Sequence, residues 1–358
     1  MSGHTTVGSG QREVGRDELP VPALEGHLSK VLGRPFRVDA ATRLTAGASN
    51  KMYVLRDTGG EEVILRVPPR VKTSKSAHDI GREYRVLRAL DGTGVPHPAV
   101  YDLCTDTSLL GVPFLVVQRV RGFHLELPLD PPYPLDPATL HTLVMSYVDT
   151  LAAIGEVDWR AAGLADFGRP DGFLSRQVDR WLSQLEGYRN RPLPHLELVT
   201  SWLRANQPAD QAPGLLHGDY QFLNVLFAPE PGGGVAAVVD WEQATIGDPL
   251  IDLGWVLGLW AEAGERSAVS GDAPWITQEP GMPARAEILD RYARTSSRDL
   301  GAVGYYQVLA LFKLACILEG SYAKALRSES DITRHLEFGE MVPRLLADAA
   351  AIARGERR

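Results

Sequence analysis

Cysteine is scarce in this chain, which carries two in 358 residues, Cys104 and Cys316. Neither sits in a CxxC spacing or beside a histidine cluster in the sequence, which argues against a disulfide framework or a structural zinc site. Runs of like charge are missing too. The net charge is -8 with no block of five or six like charges, a pattern that speaks against a nucleic-acid surface. The N-terminal stretch MSGHTTVGSGQREVGRDE has no apolar core, so it reads as a disordered lead-in and not as a signal peptide. Long apolar runs are also lacking: segments such as LIDLGWVLGLW are too short or too interrupted to span a bilayer. The chain shows no internal repeat and no low-complexity tract. These absences predict a cytoplasmic protein without membrane or nucleic-acid partners.

What is present is ordinary globular material. At 44% hydrophobic, the sequence can bury a sizeable core in one large or two moderate domains. Residues 24–32 suggest a short helix ahead of Gly33. From Phe36 to about Val120 the segments FRVDAATRLT, KMYVLRD, EEVILRV and FLVVQRV read as strands. Asp57-Thr58-Gly59-Gly60 reads as a hairpin turn between the second and third. One helix interrupts them, with Ile80, Tyr84, Leu87 and Leu90 at helical spacing and Gly92 ending the run. Beyond Gly122 a Pro-rich connector leads into helical sequence: 138–154, 173–188, 196–203, 251–263, 286–292, 305–326 and 341–353. The Gly/Pro/Ser-rich stretch 264–283 reads as either a mobile flap or an inert surface loop. The expected fold class is α+β: a disordered lead-in (1–20), a small β-rich lobe (21–120) and a larger, mainly α-helical lobe (121–358).

Within the helical half, one polar run stands between two strand-like segments: LLHGDYQFLNVLF, residues 215–227. Read with the following PEPGGG turn and VAAVVD, residues 224–240 form a hairpin. Pairing Ala228 with Val235 leaves Asn224 and Asp240 at its open end. Asp219 precedes Asn224 by five residues. Two acids and a carboxamide are hard oxygen donors, few enough to leave room for water and substrate phosphates, which suits Mg²⁺. Phosphoryl transfer uses such a set: an Asp takes the proton of the attacking hydroxyl, an Asn holds metal, and a second Asp bridges metal and phosphates. An Asx-rich turn accounts for any one of these residues but poorly for all three at this spacing.

The segments HGDYQFLN and VVDWEQATIGDPLIDLGW resemble the aminoglycoside phosphotransferase/choline kinase family, which is similar to protein kinases in fold. Within that family they resemble the bacterial-type branch related to the kinase-like domains attached to acyl-CoA dehydrogenases. The resemblance covers residues 44–255 and implies a two-lobe fold with one pairing helix in the small lobe. It also implies transfer of the γ-phosphoryl group of ATP or GTP, with Mg²⁺, to an alcohol of a small molecule. By similarity Asp219 is the catalytic base, Asn224 and Asp240 are the metal ligands, and His217 holds the catalytic loop. Asp248 and Asp252 would brace that segment and start the next helix. Helix capping is the reading favoured for Asp248, since Pro249 follows at the first helical position.

The same resemblance puts the nucleotide under the small-residue turn Thr45–Asn50, where backbone amides and the side chains of Ser49 and Asn50 meet phosphate. On the third strand, where the family has Lys, this sequence has Arg66. Its guanidinium keeps the charge but changes the geometry offered to phosphate. Glu83 is the implied partner of Arg66. The Gln118 carbonyl and Val120 amide are the implied hinge contacts to the base. Backbone recognition leaves no side-chain signature, so ATP and GTP stay equal.

Two rival readings stand beside the kinase. A metal-dependent hydrolase would need more His/Asp/Glu ligands than this loop supplies. A catalytically inactive nucleotide-binding module is supported only by Arg66. For the acceptor, Glu242, Trp260, Glu262, Glu319 and Tyr322 are the candidates. Antibiotic kinases of the family use acidic clusters for cationic sugars, while the branch resembled here suggests a metabolic hydroxyl such as a hydroxyacyl thioester.

Overall fold

The β-branched and apolar segments of the first third pair into one antiparallel sheet of six strands in the order β1-β2-β3-β4-β6-β5. The computed structural model describes residues 11–14, 18–44, 50–69, 80–327 and 333–357. The elements of this part are β1 (Gln11–Glu13), α1 (Val21–Leu32), β2 (Val38–Leu44), β3 (Lys51–Asp57), β4 (Glu62–Val67), α2 (Ile80–Leu90), β5 (Val100–Cys104), α3 (Thr107–Leu110) and β6 (Phe114–Gln118). Helix α1 begins at Pro20–Val21–Pro22, where a proline in the first turn loses no helical hydrogen bond, and ends at Gly33 with φ 67°.

The β3–β4 turn forms as the DTGG sequence predicts. Asp57 Oδ1 accepts from the amides of Gly59 and Glu61, each at 2.9 Å, and Gly60 takes φ 86°. Leu55, Leu65, Phe114 and Val116 point into one core with Leu24, Leu28 and Phe36.

Two features of this region differ from expectation. Residues 11–13, assigned to the lead-in, form an edge strand on β2, with Gln11 opposite Leu44. Backbone pairing at an edge needs no apolar side chains, so hydropathy is silent there. Strand β5, short and interrupted by Asp102, has no alternating pattern and gives the same silence. The fold also brings His27 to Cys104, although 77 positions separate them. The ligand atoms of His27, Asp102 and Cys104 lie within 4.8 Å of one another, and His27 Nε2 already pairs with Asp102 Oδ2 at 3.0 Å.

The remaining elements are α4 (Pro137–Gly155), α5 (Gln177–Glu186), α6 (Leu196–Ala205), β7 (Gly214–Leu216), β8 (Val225–Phe227), β9 (Val235–Val238), β10 (Thr245–Gly247), α7 (Leu250–Gly258), α8 (Arg285–Thr295), α9 (Val303–Leu326) and α10 (Phe338–Ala353). Two compact units result: residues 1–121 with 237–242, and residues 122–236 with 243–358.

In the second unit α9 is the central helix, packed by α5, α6, α7 and α10. Contrary to the expectation from apolar runs, it is long and apolar enough to cross a membrane by length and composition, and 61% of its apolar window is buried within the protein. The β8–β9 hairpin is present, but Ala228 N donates to the carbonyl of Gly234 at 2.9 Å, one residue away from the predicted pairing with Val235.

Candidate active site

The loop between β7 and β8 is fixed through its backbone before any side chain is committed to chemistry. The amides of His217 and Gly218 donate to the Asp252 carboxylate at 2.6 and 2.9 Å. The Gly218 carbonyl accepts from Lys313 Nζ at 2.7 Å. Gly218 holds φ 84°, and a Cβ there would stand 2.7 Å from the Gln243 carbonyl oxygen, so only glycine fits. His217 is fully buried and its Nδ1 accepts from the Asp219 amide at 3.3 Å.

The next residue is anchored on α4. Tyr220 and Tyr147 stack at 4.5 Å, and each hydroxyl donates to the other's carbonyl, at 2.8 and 3.2 Å. The second acid of the GDPLIDL segment, Asp252, is thus the loop's brace. The first, Asp248, accepts from Leu250 N at 3.0 Å and so caps α7, while Tyr306 donates to its other oxygen at 2.6 Å. Burial raises the pKa of both acids, Asp248 against the Tyr306 hydrogen bond and Asp252 against the charge of His217.

On this frame Asp219 and Asn224 meet. Asn224 Nδ2 donates to the Asp219 carbonyl at 2.9 Å and to its Oδ2 at 3.1 Å. With its nitrogen so committed, the carboxamide has its oxygen to offer a cation. Gln221 Nε2 reaches both carboxylate oxygens of Asp219 at 3.1 Å. Sequence reasoning passes over Gln221 and also Lys313. Lys313 is the lone charge in the apolar run LALFKLACIL, and that isolation is the signal that could have found it. Burial lowers the pKa of Lys313, while Asp219 and Asp252 oppose the shift. Its Nζ stands 4.8 Å from the ring centroid of Trp255.

A second cluster lies in the first unit. Arg66 Nε is 3.1 Å from Glu83 Oε2, and Arg66 Nη2 donates to Asp240 Oδ1 at 2.9 Å. The Arg66 and Glu83 side chains are only 9% and 3% exposed, and the pair lacks hydrogen-bond alignment at Nε and Oε2. Burial pushes Glu83 up to about 7 against the pull of Arg66. Asp240 itself holds φ 67°, a left-handed conformation that is uncommon outside glycine and is tolerated best by Asn and Asp. Trp241 donates to the Val238 carbonyl at 2.9 Å beside it. Glu242, expected at the acceptor, adds its field to Arg66 in this cluster instead. Ser49 lies outside the described residues, as does the rest of the turn up to Asn50, which is the first residue after it. β6 ends at Gln118, whose side chain accepts from the Ala99 amide at 3.2 Å, and Val120 follows two residues later.

Three of the acceptor candidates engage arginines. Glu319 is fully buried and Arg191 takes both its oxygens, with Nη2–Oε2 at 2.6 Å and Nε–Oε1 at 3.0 Å. Tyr322 lies under the same guanidinium at 4.4 Å. Glu262 accepts from the Arg285 amide at 2.7 Å, at the start of α8. Glu319 is thereby closed to a ligand, while Tyr322 and Glu262 are part-exposed and each faces an arginine. Trp260 is buried as well, its indole donating to the Pro283 carbonyl at 3.1 Å. It nevertheless forms part of the wall of a cavity of about 380 Å³. Tyr220, Gln221, Phe222 and Leu223 of the Asp219 loop line that cavity, together with Trp255 and residues 274–277.

A six-stranded antiparallel sheet with a buried Arg–Glu pair, followed by a helical unit bearing HGD-x₄-N, defines a kinase-like phosphotransferase of small-molecule type. Residues 40–299 match the phosphotransferase enzyme family, and the chain belongs to it. It is 29% identical over 333 residues to acyl-CoA dehydrogenase family member 10 of Mus musculus, covering 90% of this chain and 30% of that protein. The chain therefore spans under a third of that relative's length. Among solved structures it is similar to a Ralstonia eutropha chain provisionally described as an aminoglycoside phosphotransferase, with a TM-score of 0.80 and 27% identity over 94% of this chain and 99% of that one. It shares its fold with the aminoglycoside phosphotransferase of a streptomycin–ATP ternary complex, with a TM-score of 0.53 and 16% identity over 83% and 89% of the two chains.

Proposed function

We propose that this protein transfers the γ-phosphoryl group of ATP, with Mg²⁺, to the hydroxyl of a small molecule, with Asp219 as general base. The observation that carries the reading is the Asp219–Asn224 pair on a loop whose backbone is held by Asp252, His217 and Lys313. A base must sit within about 0.5 Å of its productive position, and a loop braced at two amides and a carbonyl supports such positioning. Asp219 accepts the proton of the acceptor hydroxyl as its oxygen bonds to phosphorus. The Gln221 and Asn224 amides keep the carboxylate oriented.

The chemistry of each proposed donor suits magnesium. Asn224 offers its carboxamide oxygen and Asp240 its carboxylate, hard oxygens in a small number. When bound, the ion would neutralise charge on the phosphates. Arg66, steadied by Glu83, supplies a fixed cation for the α- and β-phosphates. ATP as donor is supported by the related fold captured with streptomycin and ATP. A metal-dependent hydrolase and an inactive nucleotide-binding module explain less: neither needs Asp219 and Asn224 locked together.

The reading is tested by ADP release against a panel of hydroxyl compounds, with wild type and Asp219→Asn. Asp219→Asn is expected to fold as wild type and lose about 10²–10⁴ in rate, the usual contribution of a positioned base. A variant keeping a third of wild-type turnover would remove Asp219 from this role.

A further inference from the structure

The cavity described above shares its wall with the catalytic loop. Tyr220, Gln221, Phe222 and Leu223 lie immediately after Asp219 in the chain, and all four line it. Its volume, about 380 Å³, falls within the range of small-molecule sites, about 300–1,000 Å³. Trp255 and Trp260 also line it, with Trp275 and Ile276 contributed by the Gly/Pro-rich segment. That segment is firmly docked: Thr277 Oγ1 donates to the Ala261 carbonyl at 2.8 Å and accepts from its amide at 3.1 Å. Leu223, 50% exposed, is a large apolar side chain turned to solvent in the loop that carries the base.

The charge of the cavity is as informative as its shape. Among the described residues that line it, Glu126 is the one carboxylate, and no Lys or Arg is among them. A ligand with several ammonium groups would leave water there without partners for most of its charges, which is strongly unfavourable. An apolar body, by contrast, gains from covering aromatic and aliphatic surface. Gln221 joins the two regions: it lines the cavity and donates to both oxygens of Asp219.

We infer that the acceptor is an alcohol carried on an uncharged, apolar body, which lies in this aromatic cavity with its hydroxyl at the Gln221–Asp219 junction. The inference rests on the phosphotransferase reading and deepens it. In the step, the acceptor oxygen bonds to the γ-phosphorus as the bond from that phosphorus to the β,γ-bridging oxygen breaks. The hydroxyl proton passes to the Asp219 carboxylate, and the products are ADP and a phosphate monoester.

The test uses the full chain, with ADP release read for straight-chain primary alcohols of increasing length, 3-phenylpropan-1-ol, glucose, choline and kanamycin. Saturable turnover is expected with the apolar alcohols, KM falling about fourfold per added methylene until the cavity is full. Trp275→Ala should raise the KM for 3-phenylpropan-1-ol at least about tenfold and leave the ATP KM unchanged, while Trp275→Phe recovers most of the loss. As a readout independent of turnover, 3-phenylpropan-1-ol should change the tryptophan fluorescence saturably in wild type, and more weakly in Trp275→Ala. Turnover confined to glucose, choline or kanamycin overturns this inference and leaves the phosphotransferase reading standing. Wild-type kinetics of Trp275→Ala toward apolar alcohols, or fluorescence without a saturable change, overturns it in the same way. ADP release with none of the compounds, in a protein that binds Mg²⁺ and ATP, overturns both.

Discussion

Two Arg–Glu pairs with a buried carboxylate look alike in composition and differ in what surrounds them. In the second unit, Arg191 grips Glu319 with hydrogen bonds to both oxygens, sends Nη1 to the Gly339 carbonyl at 2.8 Å, and lays its plane over Tyr322. Almost every donor has a partner, and the pair ties α9 to the segments beside it. In the first unit, Arg66 meets Glu83 at 3.1 Å without aligned hydrogen bonds and divides its charge with Asp240. A saturated pair is a fastener. An unsaturated one, beside an aspartate in a left-handed conformation, keeps Arg66 Nε without a hydrogen-bond partner.

The largest effect that would break this contrast is on stability. Glu319→Ala leaves Arg191 without its carboxylate, and removing one partner of a buried ion pair costs about 3–5 kcal/mol. Because Arg191 is 26% exposed and can reach water, the lower end, about 3 kcal/mol, is expected. Denaturant unfolding measures the loss, and the ATP KM of the folded protein should not change. A variant as stable as wild type, or one with altered nucleotide kinetics, would return Glu319 to the functional residues.

Next in size is Arg66. Arg66→Ala removes a charge-assisted contact of about 1.5–3 kcal/mol, so kcat/KM for ATP should fall about tenfold to a hundredfold. Arg66→Lys should recover part of that, since charge returns without the fork. The variant's stability should suffer less than that of Glu319→Ala, because Glu83, already pushed up to about 7, takes a proton once its partner is gone. Equal ATP kinetics in all three proteins would make Arg66 a second fastener.

The smallest effect sharpens the comparison with a third pair of intermediate exposure. Arg285 donates to both oxygens of Glu265, at 2.7 and 2.6 Å, and these hydrogen bonds hold the carboxyl down to about 2 from its ordinary 4.5. A depressed carboxyl adds stability above its unfolded value and loses it as pH falls through the folded one. Thermal melts should therefore show an acid-sensitive increment fading between about pH 4.5 and 2, and missing in Arg285→Met. At this exposure solvent screening limits it to about 1 kcal/mol or less. Identical pH slopes in the two proteins would show that Glu265 titrates elsewhere.

These pairs also mark where the letters are informative. Asp219, Asn224 and the capping Asp248 are legible because local spacing alone sets their geometry within one loop and one helix start. The sheet is legible strand by strand wherever apolar alternation exists, and illegible at Gln11–Glu13 and Val100–Cys104, where backbone pairing does the holding. Glu319 is misread because a carboxylate in a helix looks the same whether it faces solvent or an arginine 128 positions away. The cavity wall escapes notice for a related reason. Phe222 and Leu223 sit in a short loop, and Trp275 in a stretch without periodicity, so only the closed fold brings them to one cavity wall.

Helix α9 carries three of the polar contacts described above: Tyr306 to Asp248, Lys313 to the Gly218 carbonyl, and Glu319 to Arg191. A rod of 24 residues with its centre in the core cannot fray one turn at a time in the middle. Its central amides should exchange with solvent only through opening of the whole unit. The position of the Asp219 loop is then set by the same cooperative event that opens this unit. On heating, the Asp219 loop should therefore keep its place until the helices of this unit open.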